Sequence, residues 1–280
     1  MNTLTVTEVL GAVNTLPSLS AVVLDLLVAI DQPDVDIDLV ARKVALDPAL
    51  TARALRLANS SFYGMPRQIT TMPDAVAVLG LSSVRNLATT TALMGALAQP
   101  DPGAVDPQAF WRHAIGTALC ARSLASHGAT QQDQAYIAGL LHDIGRLVLA
   151  TRFSGHYQAV LALRSATDCY LLDAERACLG LDHALVGAAL AQHWKFPQAI
   201  CLAVAQHHAG DVPDLQPLTQ VVHLADALAH ALGFSGDDDE LVPLVADATV
   251  LGLGLDRQQL INTCADAERQ FEAVCSVLMP

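Results

Sequence analysis

The chain has 280 residues, long enough to bury one large core or two smaller ones. Hydrophobic residues make up 52% and aromatic residues only 4%, and the abundant Ala, Leu and Val recur at helical spacing, which predicts an all-α fold. The formal net charge of -13 repels phosphate backbones at long range, so it disfavours nonspecific binding to nucleic acid or to an anionic membrane.

The N-terminus and the cysteines bear on the cellular compartment. The first residues lack the basic region and the long apolar core of a signal peptide, and polar residues interrupt each apolar run. The six cysteines include no Cys-x-x-Cys pair, and several lie within apolar helical stretches. We therefore expect a cytoplasmic protein whose cysteines are free, buried thiols.

Five short helices joined by tight corners are predicted in the first hundred residues. Asp47-Pro48 supplies an N-cap followed by proline at the first helical position, and Gly80 is expected to close the fourth helix. The predicted helices span residues 16–31, 36–45, 48–64, 73–80 and, starting at Ser82 or Ser83, residues up to 97.

Short helices with tight turns also invite a helix-turn-helix interpretation, with Ser83 to Thr91 as the recognition helix. Among side chains that neutralise phosphate, this segment offers only Arg85. We therefore prefer a packing role for it, and we expect neither a nucleic-acid partner nor a membrane partner.

A proline-rich stretch marks the predicted boundary between two lobes. Three prolines and a glycine lie within residues 98–107, where they end any helix. We place an N-terminal lobe at residues 1–100, a linker at 101–107, and a C-terminal lobe with a helical extension at 108–280. The helices predicted after the boundary span residues 110–127, 134–151, 154–164, 171–179, 184–194, 197–207, 218–232 and 256–277.

The predicted helix around His142 carries its polar groups among very small residues. His142 and Asp143 lie opposite the apolar stripe of a helical wheel. Gly139 and Gly145 each sacrifice about 1 kcal/mol of helix stability relative to alanine, which usually reflects the close approach of another element. An ordinary amphipathic helix with its polar face in water explains this pattern equally well.

His113 and Asp226 also fall on largely apolar helix faces. The face that carries His113 holds no charged residue, so its imidazole is expected to point inward, as a ligand or as a hydrogen-bonded core residue. Asp226 requires a partner, because carboxylates enter apolar surroundings only when they are paired or bound to a metal.

Several motifs stand in a characteristic order between Leu16 and Asp226. In the first hundred residues they are Leu16-Pro17, Asp47-Pro48-Ala49-Leu50-Thr51, Leu57-Ala58-Asn59-Ser60-Ser61-Phe62-Tyr63-Gly64 and Ala75-Val76-Ala77-Val78-Leu79-Gly80. After the boundary they are Phe110-Trp111-Arg112-His113, Ala138-Gly139-Leu140-Leu141-His142-Asp143-Ile144-Gly145-Arg146, Asp182-His183-Ala184-Leu185-Val186-Gly187, Trp194-Lys195-Phe196-Pro197, His207-His208 and His223-Leu224-Ala225-Asp226-Ala227-Leu228. This order resembles the HDOD family, the HD-related output domains of bacterial signalling proteins.

The resemblance implies two all-helical lobes, the second related to HD-type metal-dependent phosphohydrolases. It also implies a ligand set for one or two ions of Fe, Mn, Ni or Zn. The HD-type ligands map onto His113, His142, Asp143 and Asp226, and the HD-GYP branch, which hydrolyses cyclic di-GMP, adds His183, His207 and His208. Adjacent residues of a helix diverge by about 100°, so His142 and Asp143 can both contribute only to a centre that lies between them or to two neighbouring ions.

Two departures from the HD-GYP pattern count against catalysis. Arg146 replaces the usual lysine after His-Asp-Ile-Gly, and residues 209–213 stand in place of a Gly-Tyr-Pro segment. If the site is catalytic, the candidate residues are Asp143, Arg146 and Lys195, although arginine cannot donate a proton near neutral pH.

Two hypotheses about function result. The preferred one is a non-catalytic output module of bacterial signal transduction, which docks signalling proteins and holds a metal centre that organises its second lobe. The alternative is an active metal-dependent phosphohydrolase that acts on a cyclic (di)nucleotide or a related phosphoester. A phosphate-containing small molecule is therefore a further expected partner.

Overall fold

The structure of the protein is a computed structural model, and it describes residues 3–19, 44, 47–97, 104–128, 130–209, 215–237, 241–245 and 247–279. Within these residues every regular element is a helix and no strand occurs, so the all-α prediction is confirmed. The helices are α1 Val6–Asn14, α2 Pro48–Ala58, α3 Met72–Ala96, α4 Pro107–Ala125, α5 Gln132–Leu141, α6 Ile144–Arg152, α7 Ser154–Thr167, α8 Leu171–Leu179, α9 His183–His193, α10 Gln198–Gln206, α11 Pro217–Ala231, α12 Asp247–Gly252 and α13 Arg257–Leu278.

The chain divides into two compact units that are discontinuous in sequence. The larger unit comprises Met1–Pro17 and Leu97–Cys264, and the smaller unit comprises Ser18–Ala96 and Ala265–Pro280. The two lobes predicted from the sequence are each continuous along the chain. Whether they fold independently stays a prediction. Among the described residues, no helix has both the length and the apolarity needed to cross a bilayer.

In the smaller unit, the residues predicted to start and to interrupt helices do so. The Asp47 carboxylate accepts hydrogen bonds from the N–H groups of Ala49 and Leu50, and Pro48 is the first residue of α2. Gly80 interrupts α3 with φ 78° and ψ 155°, a backbone conformation that favours glycine.

Other boundaries in the first hundred residues differ from the prediction. Helix α2 ends at Ala58 rather than near residue 64. The Asn59 side-chain amide donates to the Ile69 carbonyl and accepts from the Ile69 N–H, and these two bonds hold the chain after α2 in a turn. The predicted helix 16–31 is not helical over residues 16–19, and the rest of it lies outside the described residues, as does nearly all of the predicted helix 36–45. Helix α1 was not predicted, although Thr5 and Glu8 form a capping box at its start.

Most helices predicted after residue 100 are present, with ends that differ by up to three residues: they are the predicted helices 110–127, 154–164, 171–179, 184–194, 197–207, 218–232 and 256–277. The predicted helix 134–151 is wrong as a single element, because it is interrupted at His142 and Asp143. The His142 imidazole bonds the Gly139 carbonyl at the end of α5, over 2.7 Å, and Asp143 leaves helical geometry with ψ 4°. The apolar period continues across this break, so periodicity alone hides it.

Two glycines beside this break allow neighbouring helices to approach closely, as expected from their helical positions. A Cβ built on Gly139 would lie 3.0 Å from the Ala118 backbone of α4. A Cβ built on Gly145 would collide with the His183 carbonyl and lie 2.6 Å from the Gly187 nitrogen of α9. Backbone of α4 and α9 is therefore held directly against the His142–Asp143 segment.

The contact between α6 and α9 predicts a large cost for Gly145→Ala. The added methyl group meets backbone atoms that cannot move aside by a rotamer change, so we expect a loss of unfolding free energy of about 1–3 kcal/mol or more. The matched control is Gly155→Ala in α7, where nothing lies within 4 Å of the added Cβ; there we expect a gain of about 0.5–1 kcal/mol. Urea unfolding measures both, and equal stability of the two variants would contradict the close approach.

Candidate metal centre

All seven residues predicted to bind metal lie in the larger unit and converge on one cluster. Sequence signals place several of them, since Asp106-Pro107 starts α4, which carries His113, and Asp182 caps α9, whose first residue is His183. His142 and Asp143 form the break between α5 and α6, Asp226 lies in α11, and the His207–His208 pair follows α10. His208 is half-buried and the other six are buried.

One part of the cluster, which we call the Asp226 subsite, is centred on a single carboxylate oxygen. Asp226 Oδ1 lies 3.0 Å from His113 Nε2, 3.3 Å from His142 Nε2 and 3.3 Å from His230 Nε2. His230 was not predicted. Its signal in the sequence is its position one helical turn after Asp226, on the same face of α11.

The second part, the Asp143 subsite, is built in the same way. Asp143 Oδ1 lies 3.1 Å from His183 Nε2 and 3.6 Å from His207 Nε2. His208 joins them, with its Nε2 2.9 Å from that of His183. One donor atom from each of these four side chains lies within 4.8 Å of all the others.

Hydrogen bonds behind the imidazoles fix which nitrogen faces the cluster. His142 Nδ1 donates to the Gly139 carbonyl, and His207 Nδ1 donates to the Val204 carbonyl over 2.8 Å. Because Nδ1 holds the proton in each neutral ring, the Nε2 lone pair points into the cluster. This tautomer is the one that a metal ion requires.

Glu175 orients His183 in a similar way and was also missed by the sequence analysis. Its carboxylate is fully buried, and one oxygen accepts both from His183 Nδ1, at 2.6 Å, and from the His183 backbone N–H, at 2.8 Å. That N–H belongs to the first turn of α9 and has no partner within the helix. No local pattern connects Glu175 with a histidine eight residues away, so only the tertiary structure reveals the pair.

The buried charges of the cluster stabilise one another. Burial is the largest single influence on the Asp143 and Asp226 carboxyls, and it raises their pKa. The surrounding imidazoles together outweigh burial, with a further contribution from Arg146 at Asp143, and they hold the pKa of both carboxyls well below the usual range. Burial likewise lowers the pKa of His142, yet the two carboxylates reverse this effect and leave it raised. For His113 the effect of burial prevails, and the pKa is lowered.

These residues fit one or two divalent transition-metal ions. Imidazole nitrogens and carboxylate oxygens are suitable ligands, and His207 Nε2 is buried without a hydrogen-bond partner. Nε2 atoms also face each other in pairs, at 3.2 Å between His113 and His142. Both nitrogens also face Asp226 Oδ1, and a cation among them would take the place of the protons that they share with that carboxylate.

A cavity of about 220 Å³ adjoins the cluster. Asp143, His183, His208 and Asp226 contribute to its polar floor, and Arg146 and Arg164 add cationic groups, while its wall includes Tyr170, Leu171, Leu172, Leu241, Pro243 and Leu244. The space accommodates a small anion or part of a larger ligand next to both subsites.

The three candidate catalytic residues occupy different environments. Asp143 lies in the cluster, and Arg146 Nη1 donates to Asp143 Oδ2 over 2.8 Å. Lys195 is exposed in the turn after α9, with φ 60°, and is not among the residues that line the cavity. A catalytic role for any of the three stays a prediction.

Comparisons with known proteins agree with the sequence motifs. The family model for the HDOD domain matches residues 16–210. An HDOD domain protein of unknown function from Geobacter sulfurreducens is 26% identical and superposes with a TM-score of 0.77, covering 98% of both chains. A protein from Marinobacter aquaeolei VT8, provisionally named a signal transduction protein, is 28% identical with a TM-score of 0.79, over 95% of this chain and 60% of that one.

An uncharacterized protein from Treponema pallidum (strain Nichols) is 28% identical over 200 residues. The match covers 70% of this chain but 38% of that protein, so the chain spans well under half of the relative's length.

The Glu175–His183 pair predicts how stability depends on pH in the metal-free protein. Burial lowers the pKa of His183, but the Glu175 and Asp143 carboxylates outweigh it and raise the pKa to about 10. A raised pKa stabilises the fold fully below the unfolded value of about 6.5, and this stabilisation disappears as the pH rises towards 10, by up to about 1.4 kcal/mol per pH unit. Glu175→Gln removes one of the two carboxylates that raise the pKa of His183. We therefore expect this variant to lose less unfolding free energy than wild type as the pH rises.

Urea unfolding at about pH 7 and pH 9 tests this expectation. The stability difference between wild type and Glu175→Gln should shrink at the higher pH, whereas the exposed control Glu268→Gln should change little at either. A difference for Glu175→Gln that is the same at both pH values would show that Glu175 does not hold a proton on His183.

Proposed function

The chain belongs to the HDOD domain family, and we propose that it is a bacterial signal-transduction output module whose larger unit holds divalent transition-metal ions. The observation that carries the proposal is the pair of buried carboxylate oxygens, Asp143 Oδ1 and Asp226 Oδ1, each surrounded by imidazole Nε2 atoms. The hydrogen bonds behind His142 and His207 support it further, because they set the tautomer for binding metal.

The metal has a structural role in this proposal. His113, His142, His183, His207, His208, Asp143 and Asp226 hold it, and it links helices α4, α9 and α11 with the α5–α6 break. Iron, manganese, nickel and zinc all suit this donor set. When bound, such an ion also supplies Lewis acidity and lowers the pKa of a coordinated water.

Two observations favour regulation over catalysis. Arg146 neutralises Asp143 Oδ2 and stays protonated, since burial lowers its pKa but Asp143 reverses the effect and raises it. The only lysine after residue 100 is Lys195, which is exposed outside the cavity lining, so it is badly placed to deliver a proton. We infer that signalling depends on docking other proteins in the cytoplasm, with the metal centre fixing the shape of the docked unit.

The cavity favours a second candidate function. Arg146 and Arg164 line the space next to both subsites, and guanidinium groups bind phosphate oxygens bidentately. A metal-dependent phosphohydrolase that acts on a cyclic (di)nucleotide or a related phosphoester would use this arrangement. Arg146 and Arg164 would hold the phosphoester, and the imidazoles and carboxylates would hold the ions.

Metal analysis of protein purified without chelator tests the proposal. We expect up to two ions per chain in wild type and a lower metal content in His142→Ala, because His142 Nε2 lies 3.3 Å from Asp226 Oδ1 and 3.7 Å from Asp143 Oδ1. Metal at about 1000 times its dissociation constant should raise the unfolding free energy of wild type by about 4 kcal/mol per site. The control His193→Ala, at the far end of α9, should keep the wild-type metal content.

Assays of cyclic mono- and dinucleotides on the same samples separate the two functions. Bound metal without turnover supports the regulatory module. Turnover that is lost in both His142→Ala and Asp143→Ala would replace it with the phosphohydrolase, and protein that stays metal-free after supplementation would contradict both.

A further inference from the structure

We propose that His230 is a metal ligand and that His113, His142, His230 and Asp226 form a complete set for one ion, without a contribution from Asp143. The inference rests on the proposed metal binding. It adds a residue outside the motifs that resemble the HDOD family, and it divides the cluster into two centres that load independently.

The spacing of the donor atoms supports this set. The three imidazole Nε2 atoms lie 3.0, 3.3 and 3.3 Å from Asp226 Oδ1. Ligand atoms that are each about 2.1 Å from a common ion lie roughly 3.0 to 3.4 Å apart in octahedral and tetrahedral sites. The donors of His113, Asp226 and His230 also lie within 4.8 Å of one another. None of the ligand groups formed by the described residues brings all four donor atoms within 4.8 Å of one another, so the imidazoles must move towards one another to hold a single ion.

Asp143 is engaged elsewhere. Arg146 occupies its Oδ2 atom at 2.8 Å, and its Oδ1 atom lies closest to His183, at 3.1 Å. His142 Nε2 is 3.3 Å from Asp226 but 3.7 Å from Asp143. A donor atom of Asp143 also lies within 4.8 Å of those of His113 and His142. Because Arg146 holds Oδ2 and His183 is the imidazole nearest to Oδ1, we assign Asp143 to the other subsite. His230 supplies the fourth ligand that Asp143 does not.

The position of His230 in α11 also fits a ligand. Residues four apart share a helix face, so Asp226 and His230 project together towards His113, whose ring centroid lies 4.3 Å from that of His230. The His230 side chain is 15% exposed and lines the cavity. An ion in the Asp226 subsite is therefore close enough to the cavity to accept a further ligand from it.

A matched histidine on the same helix provides the control. His223 also lines the cavity, but its Nδ1 donates to the His207 carbonyl over 2.7 Å, and none of the three ligand groups formed by the described residues includes it. Weaker binding of one ion in His230→Gln but not in His223→Gln therefore reports ligation rather than a general disturbance of α11.

The test uses Co²⁺ as the probe, with the metal content measured by elemental analysis and the ligand field by visible absorption. Wild type and His223→Gln are expected to bind two ions. His230→Gln should bind one normally and the other at least about tenfold more weakly. His230→Glu has the same size as the glutamine variant but offers a carboxylate, so it should bind both ions with an altered spectrum.

Variants of the other subsite show whether the two centres are independent. His208→Gln should weaken one ion and leave the absorption of the His230-dependent ion unchanged. Circular dichroism of each metal-free variant reports its folding.

Four outcomes overturn the inference. They are equal Co²⁺ affinities of His230→Gln and wild type, equal binding by the glutamate and glutamine variants, loss of an ion in His223→Gln, and loss of both ions in His208→Gln. Wild type that binds no Co²⁺ also overturns the proposed function, so the two failures are distinguishable.

Discussion

Burial of two carboxylates inside a helical unit is the constraint on which the larger unit depends. An isolated buried carboxylate costs many kcal/mol, so Asp143 and Asp226 are tolerated only because cationic or polarisable groups surround them. The imidazoles supply those groups, and each must approach within hydrogen-bonding distance. The glycines at 139 and 145 permit this approach, since they let the backbones of α4 and α9 contact the helices that flank His142 and Asp143.

The break between α5 and α6 gives the cluster its geometry. In a continuous helix, neighbouring side chains diverge by about 100°, and His142 and Asp143 would serve different faces. The turn at these residues instead lets His142 lie between both carboxylate oxygens while Asp143 faces His183 and Arg146. The same hydrogen bond that ends α5 also selects the His142 tautomer, so one local interaction controls both the fold and the donor atom.

Sequence reasoning succeeded where the determinant is local or is carried by a motif. Asp47-Pro48 and Gly80 fixed helix boundaries because capping and positive φ are properties of single residues. The seven predicted ligands were recognised through motifs that resemble those of the family. The helix pattern alone would not identify them, because an inward-facing histidine such as His113 can equally be a hydrogen-bonded core residue. Glu175 was missed because its importance comes from a contact across the tertiary structure. His230 was missed although it lies one helical turn after Asp226, because that spacing points to a ligand only once His113 is seen to lie opposite. The interruption at His142 was missed because the apolar stripe continues through it.

The cavity wall and its floor come from different kinds of structure. The floor is fixed by helix backbones packed through glycines, whereas Leu241, Pro243 and Leu244 belong to residues 241–245, which form no helix, and Leu244 is 85% exposed. Substitutions at these three residues can change which sizes and polarities of molecule the cavity accepts, without moving any donor atom of the floor. The selectivity of the cavity for its contents can therefore change at these positions while the imidazoles and carboxylates beneath them stay in place.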